Sequence, residues 1–326
     1  MRIVAALGGN ALLQRGEAPD AAVQLTHVAQ AVHALAPLTA DHELIITHGN
    51  GPQVGMLAVE SANDTTLTAP YPMDVLTAQT QGMIGYWLVR ELRNARSGLK
   101  VVGVLTDTLI DADDPAFDHP TKFVGPRYPP REAERIADAR GWCLRPEGNP
   151  GQAMWRRVVA SPEPLDILEL SAITLLLDAG WVVVAAGGGG VPVTNGGSAL
   201  GLSGLAGADA VIDKDLTAAL LAERLQADAL LLLTDVPAIM TGFGTPQARR
   251  LIRATPAQLR ALPLAQGSMG PKAEAACRFT EHRPGVIAAI GSLTDAAALL
   301  TGRAGTLVRA TPHDADHPQQ VGGARA

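Results

Sequence analysis

Short apolar runs alternate with longer stretches of helical period along most of this chain. The runs at 3–7, 44–47, 101–105, 181–186, 229–234, 286–290 and 306–309 are nearly continuous in Val, Ile, Leu and Ala. That is the pattern of strands covered on both faces, not of strands with one wet face. Between them, 21–35, 74–94, 166–179, 215–226 and 271–282 carry apolar residues at helical spacing. The alternation predicts right-handed βαβ units, hence an α/β fold around a mainly parallel sheet.

The pattern breaks from about 107 to 164, where Pro, Asp and Arg accumulate around short apolar pieces. Prolines there would interrupt central strands, so this region is read as an insertion standing off the main sheet. The tail 311–326 has no periodicity and is expected to be disordered. No internal repeat is found.

Composition narrows the class of protein. A hydrophobic share of 47% with 3% aromatic residues and 34 glycines suits an Ala/Leu/Val-rich α/β enzyme with many tight strand-to-helix turns. The net charge of -6 argues against a general nucleic-acid or membrane-surface binder and points to a small-molecule partner. Cys143 and Cys277 are far apart, with no CxxC and no His-rich neighbourhood, so neither a metal site nor a disulfide framework is expected. A reducing, cytoplasmic location fits. The apolar start, Met1 to Leu7, is cut off by Gly8-Gly9-Asn10 and is too short for a signal core or a membrane span.

Three predicted strands end in glycine-rich turns: Gly8-Gly9-Asn10, His48-Gly49-Asn50-Gly51-Pro52 and Gly187-Gly188-Gly189-Gly190. In an open parallel sheet, ligands bind at the carboxyl ends of the strands, and glycine there lets backbone N–H groups approach an anion. Helix N-termini behind such turns add positive dipole ends. Any one turn is better explained by a mere need for positive φ; three together, with two asparagine amides, favour phosphate binding. No GxxxxGK[ST] and no strand-borne GxGxxG occurs, so the cation must come from elsewhere.

Lysine usage supplies a candidate. Only Lys100, Lys122, Lys214 and Lys272 occur among 26 basic residues. A chain that uses arginine almost everywhere keeps lysine where a compact, mobile point charge serves better than a planar fork. Lys122 lies in Pro120-Thr121-Lys122-Phe123-Val124-Gly125-Pro126, Lys214 in Asp213-Lys214-Asp215 at a helix start, and Lys272 in Gly267-Ser268-Met269-Gly270-Pro271-Lys272 at another. Asp215 can serve as an N-cap, or as a carboxylate that orients two lysines for phosphoryl transfer, a reaction catalysed mostly by positioning and charge stabilisation.

These residues carry a resemblance. The stretches Ala6 to Ala11, Thr47 to Gly55, Thr80 to Trp87, Pro120 to Lys122 with Val124-Gly125-Pro126, Gly187 to Val193, Ala210 to Asp215, and Gly267-Ser268-Met269 with Pro271-Lys272 resemble, in order, the motifs of the carbamate kinases within the amino acid kinase family. The resemblance implies a three-layer αβα sandwich with a small protruding subdomain at about 107–164. It further implies a phosphoryl-acceptor lobe over 1–208 and a nucleotide lobe over 209–310. A homodimer that moves a phosphoryl group reversibly between ATP and carbamate, with Mg²⁺, is the implied enzyme.

By the same resemblance, Gly8, Gly9, Asn10, Gly49, Asn50 and Gly51 cradle the carbamate and the transferring phosphoryl group, joined by Gly188 and Gly189 of the third turn. Lys122, Lys214, Asp215 and Lys272 form the catalytic set. Asp213, Lys214, Asp235, Ser268, Met269 and Lys272 face the nucleotide. Many relatives in the wider family carry a lysine just before the first Gly-Gly, where Ala6 stands here; the resemblance places the substitute charge on the protruding subdomain, at Lys122. His48, Gln81, Tyr86 and Trp87 are read as structural or dimer-contact residues. Gly270 departs from the bulky residue usual before Pro-Lys and is expected to loosen that loop. A kinase for another small acid, or a non-catalytic nucleotide-binding protein on the same fold, are the alternative readings.

Overall fold

The computed structural model describes residues 1–14, 16–148, 154–197, 204–265 and 267–310; the tail expected to be disordered lies outside them. The main sheet contains β1 (Arg2–Leu7), β2 (Glu43–His48), β3 (Val101–Gly103), β4 (Val182–Val184), β5 (Ala229–Thr234), β6 (Arg253–Ala254), β7 (Ile287–Ser292) and β8 (Thr306–Val308). Their order is β6-β8-β7-β5-β1-β2-β4-β3. Every neighbouring pair is parallel except β7 with β8.

Burial on both faces follows from the strand sequences. In β1, Val4 and Ala6 enter one core and Ile3, Ala5 and Leu7 the other. The first core is closed by helices α5 (Leu170–Asp178), α6 (Lys214–Arg224), α7 (Pro256–Arg260) and α8 (Met269–His282). The second is closed by α1 (Ala21–Leu35) and α3 (Met73–Ala95). Each fully buried Leu or Ile contributes about 2 kcal/mol of transfer free energy, and β1, β2, β4, β5 and β7 each send buried apolar side chains into both cores. No described helix is long and apolar enough to cross a membrane.

The irregular region divides into two parts. Asp107–Leu109 pairs with Val191–Asn195 and with Asp166–Ile167, in a second sheet that also holds Leu205–Gly207. The stretch 166–179, expected as one helix, is therefore a short strand followed by α5. Beyond it, Lys122–Tyr128, Met154–Val159 and Leu144–Glu147 form a three-stranded antiparallel sheet carrying α4 (Pro130–Arg140). The pairing slips between Val124 and Arg127, where Gly125 has φ of +72°. That irregularity rests on α2 (Gly51–Asn63): a Cβ on Gly55 would lie 2.6 Å from the Gly125 nitrogen, so the two backbones touch.

Candidate active site

Leu7 lies opposite His48 in the register of β1 and β2, so the turns that follow leave the same edge of the sheet. Gly8 donates its N–H to the Leu233 carbonyl at 3.0 Å, and Gly49 donates to Leu7 at 2.9 Å. The two turns are in direct contact. A Cβ on Gly49 would lie 2.8 Å from the Gly9 nitrogen and 3.3 Å from Cε of Lys214. The third turn closes over them: Gly188 has φ of +68°, and a Cβ there would lie 2.2 Å from Nδ2 of Asn50.

Hydrogen bonds fix this convergence. The buried Asn50 amide donates to Thr80 Oγ1 at 2.9 Å, and the Thr217 hydroxyl donates to the Gly189 carbonyl at 3.0 Å. Gly51 opens α2, with Pro in its first turn where a missing N–H costs nothing. Asn10 contributes backbone to a short turn, Gly9–Ala11. The N-termini of α6 and α8 bring the lysines to this edge. The Lys214 ammonium donates to Asp215 Oδ1 at 2.6 Å, and the Lys272 ammonium donates to Asp215 Oδ2 at 2.9 Å. Lys122 comes from the first residue of the protruding sheet and donates to Asp213 Oδ2 at 2.6 Å.

One expectation is corrected here. Asp213, not Asp215, caps α6, its Oδ1 accepting from the N–H groups of Asp215 and Leu216. Asp215 is turned inward and buried, because both of its oxygens are needed by ammonium groups. Burial alone would raise its pKa, but the two lysines overcome that and hold the carboxyl well below its ordinary range. Burial is also the largest influence on Lys214, lowering its pKa to about 8 despite Asp215, with the like charge of Lys272 adding to the drop. Burial opposes the Lys272 charge too, yet Asp215 outweighs it and the pKa is raised.

The remaining candidates are less concentrated. Asp235 follows β5 at the same sheet edge, is exposed, and accepts from Thr234 Oγ1 at 3.0 Å. Ser268 is exposed just before α8, while Met269 packs partly into the core. Gly270 tightens the loop where loosening was expected: its N–H donates to the Ala265 carbonyl at 2.8 Å, and a Cβ would lie 3.1 Å from that oxygen. His48 is buried, and desolvation lowers its pKa to about 4, so it is a neutral packing residue. Gln81 bridges the Thr106 backbone in both directions.

Thr80 and Thr217 were not singled out from sequence. Thr217 carried a readable signal, since it lies in the turn that follows Asp213-Lys214-Asp215; Thr80 opens the motif stretch Thr80 to Trp87, but nothing there marked its hydroxyl as the partner of Asn50. Among the described residues, no three His, Cys, Asp or Glu side chains gather into a cation cage. The two carboxylates nearest the lysines already bind ammonium groups.

The sequence profile described as the amino acid kinase family matches residues 1–289. The chain belongs to the amino acid kinase family. Within it, the carbamate kinase of Rhizobium meliloti (strain 1021) is 46% identical over 316 residues, 96% of this chain and 95% of that protein. The carbamate kinase of Escherichia coli (strain K12) is 48% identical over 306 residues, 94% of this chain and 98% of that protein. A solved carbamate kinase from Giardia lamblia bound to AMP-PNP superposes with a TM-score of 0.83 at 35% identity, covering 94% of this chain and 98% of that one. The αβα architecture expected from the motifs is thus the architecture of this amino acid kinase.

Proposed function

We propose that this amino acid kinase transfers the terminal phosphoryl group reversibly between ATP and carbamate, giving ADP and carbamoyl phosphate. The observation that carries the reading is the shared carboxylate of Asp215, which holds Lys214 and Lys272 beside the contact of the Gly8-Gly9 and Gly49-Asn50 turns. The names of relatives at 46% and 48% identity support the choice of acceptor.

The acceptor side is formed by Gly8, Gly9, Asn10, Gly49, Asn50 and Gly51, with Gly188 and Gly189 above them, in the lobe 1–208. The lobe 209–310 takes the nucleotide, with Asp213, Asp235, Ser268 and Met269 along its path. A carbamate oxygen attacks the terminal phosphorus; the P–O bond to ADP breaks, and its electron pair leaves with ADP. The acceptor is already an anion, so no side chain has to remove a proton or form a covalent intermediate. Lys214 and Lys272 neutralise charge on the phosphoryl oxygens and on the leaving β-phosphate, and Lys122 covers the acceptor side. Asp215 favours the charged form of both buried ammonium groups and holds them at one point. Mg²⁺ would enter with the nucleotide as part of the substrate and would add positive charge to its phosphates.

The protein acts in the cytoplasm, in keeping with its free cysteines, Cys143 and Cys277. It works as a homodimer, a reading supported by the open edge of β3 beside exposed Tyr86 and Leu105.

The test is ATP formation by purified protein from ADP, Mg²⁺ and carbamoyl phosphate, with acetyl phosphate as control donor and Lys272→Ala as control protein. Rapid ATP formation that prefers carbamoyl phosphate and is lost in the variant is the expected result. ADP binding without ATP formation would overturn the reading in favour of another acceptor or of a non-catalytic role.

A further inference from the structure

Two of the three site lysines are locked, and the third is not. Lys214 and Lys272 have side chains only 12% and 11% exposed and share the buried Asp215, whereas the Lys122 side chain is 34% exposed. Lys122 is also the one carried by a different unit, at the first position of the protruding sheet, paired with Val159. A flexible four-carbon stem left to itself there would sample many rotamers. Its ammonium nonetheless has a defined partner, Asp213, across the boundary to α6.

We propose that Asp213 is the positioning residue for Lys122. Its carboxylate cannot swing with the lysine, because Oδ1 is held by the N–H groups of Asp215 and Leu216 at 2.9 and 3.4 Å while Oδ2 takes the ammonium. Asp213 is therefore a fixed anchor set by the start of the nucleotide-side helix. An ammonium has three N–H donors, so the bond to Asp213 leaves two for a phosphoryl oxygen. The arrangement ties the charge supplied by the protruding sheet to the helix that also carries Lys214 and Asp215. One carboxylate both begins that helix and aims the third lysine.

The catalytic consequence rests on the carbamate kinase reading; the positioning itself does not. Asp213→Asn separates the two duties, since asparagine caps a helix as well as aspartate but carries no charge. Asp213→Ser, also a good cap, serves as the second variant if the first folds poorly. In ATP formation from carbamoyl phosphate, Asp213→Asn is expected to lower kcat about 10- to 100-fold. In a Lys122→Met background the same change is expected to alter kcat by less than about twofold. Wild-type kcat in Asp213→Asn, or equal losses in both backgrounds, overturns the proposal.

If the wild-type protein makes no ATP, the functional reading fails, and amide hydrogen exchange in Lys122–Tyr128 then decides the positioning claim. Exchange accelerated equally by Asp213→Asn and Lys122→Met, and no further in the double variant, supports it. Unchanged exchange in Asp213→Asn overturns it.

Discussion

Lys214 and Lys272 share a carboxylate but not an electrostatic environment: burial brings Lys214 down to about 8, whereas Lys272 is raised. The reaction needs both ammonium groups charged. Because Lys214 loses its proton as pH rises through about 8, kcat/KM, which reports the free enzyme, is expected to fall above that pH. A flat profile from pH 7 to about 9.5 would contradict that assignment. Asp215→Asn leaves two buried ammonium groups without a counter-ion, a change expected to cost about 3–5 kcal/mol in denaturant unfolding and to abolish measurable turnover. His48 acts in the opposite pH range. Its folded pKa of about 4 lies below the ordinary 6.5, so the folded state resists protonation. Stability is full above pH 6.5 and is lost as pH falls toward 4, by about 3 kcal/mol. His48→Gln is expected to flatten that acid limb in urea titrations. At this scale the lysines were legible because the chain otherwise avoids lysine. The division of labour between Asp213 and Asp215 was not, because two carboxylates at one helix start look alike until burial separates them.

Elements were legible in proportion to how uniformly they are buried. The strand at 229–234 and the helix at 21–35 have the bounds read from the sequence, since each presents an unbroken run or an unbroken period. Helix α2 was not read at all. Gly51, Pro52 and Gly55 in its first turns carry turn chemistry, and the helix is held instead by packing of Val54 and Ala58 against α3 and under the protruding sheet. Asp166–Ile167 was absorbed into the following helix because two strand residues leave no periodicity. The third turn permits a test at element scale. Gly188→Ala needs a side chain at φ of +68° and pushes on the Asn50 amide. It is expected to cost about 1–3 kcal/mol of stability and to lower kcat about 100-fold, measured by thermal unfolding and by the ATP assay.

The whole molecule joins three parts at one edge of the main sheet: the turns after β1, β2 and β4, the starts of α6 and α8, and the root of the protruding sheet. The composition of the chain foretold the class and the off-sheet region, but not the second sheet, whose strands are too short and too far apart in sequence to be paired by inspection. Dimerisation through the face containing β3 is a prediction at this scale. Leu105→Asp, at an exposed position beside the open edge, is expected to convert dimer to monomer in light scattering, with monomeric wild type as the contrary result.

The contact of Gly55 with Gly125 has a genetic consequence. Each position already bears the smallest residue, so damage from Gly55→Ala cannot be repaired by a smaller residue at 125. Suppressors of such a lesion must be true revertants at codon 55, or changes elsewhere that lift the root of the protruding sheet and so disturb the reach of Lys122. A selection for restored activity should return the first kind far more often than the second, leaving two codons that vary less than their distance from the substrates suggests.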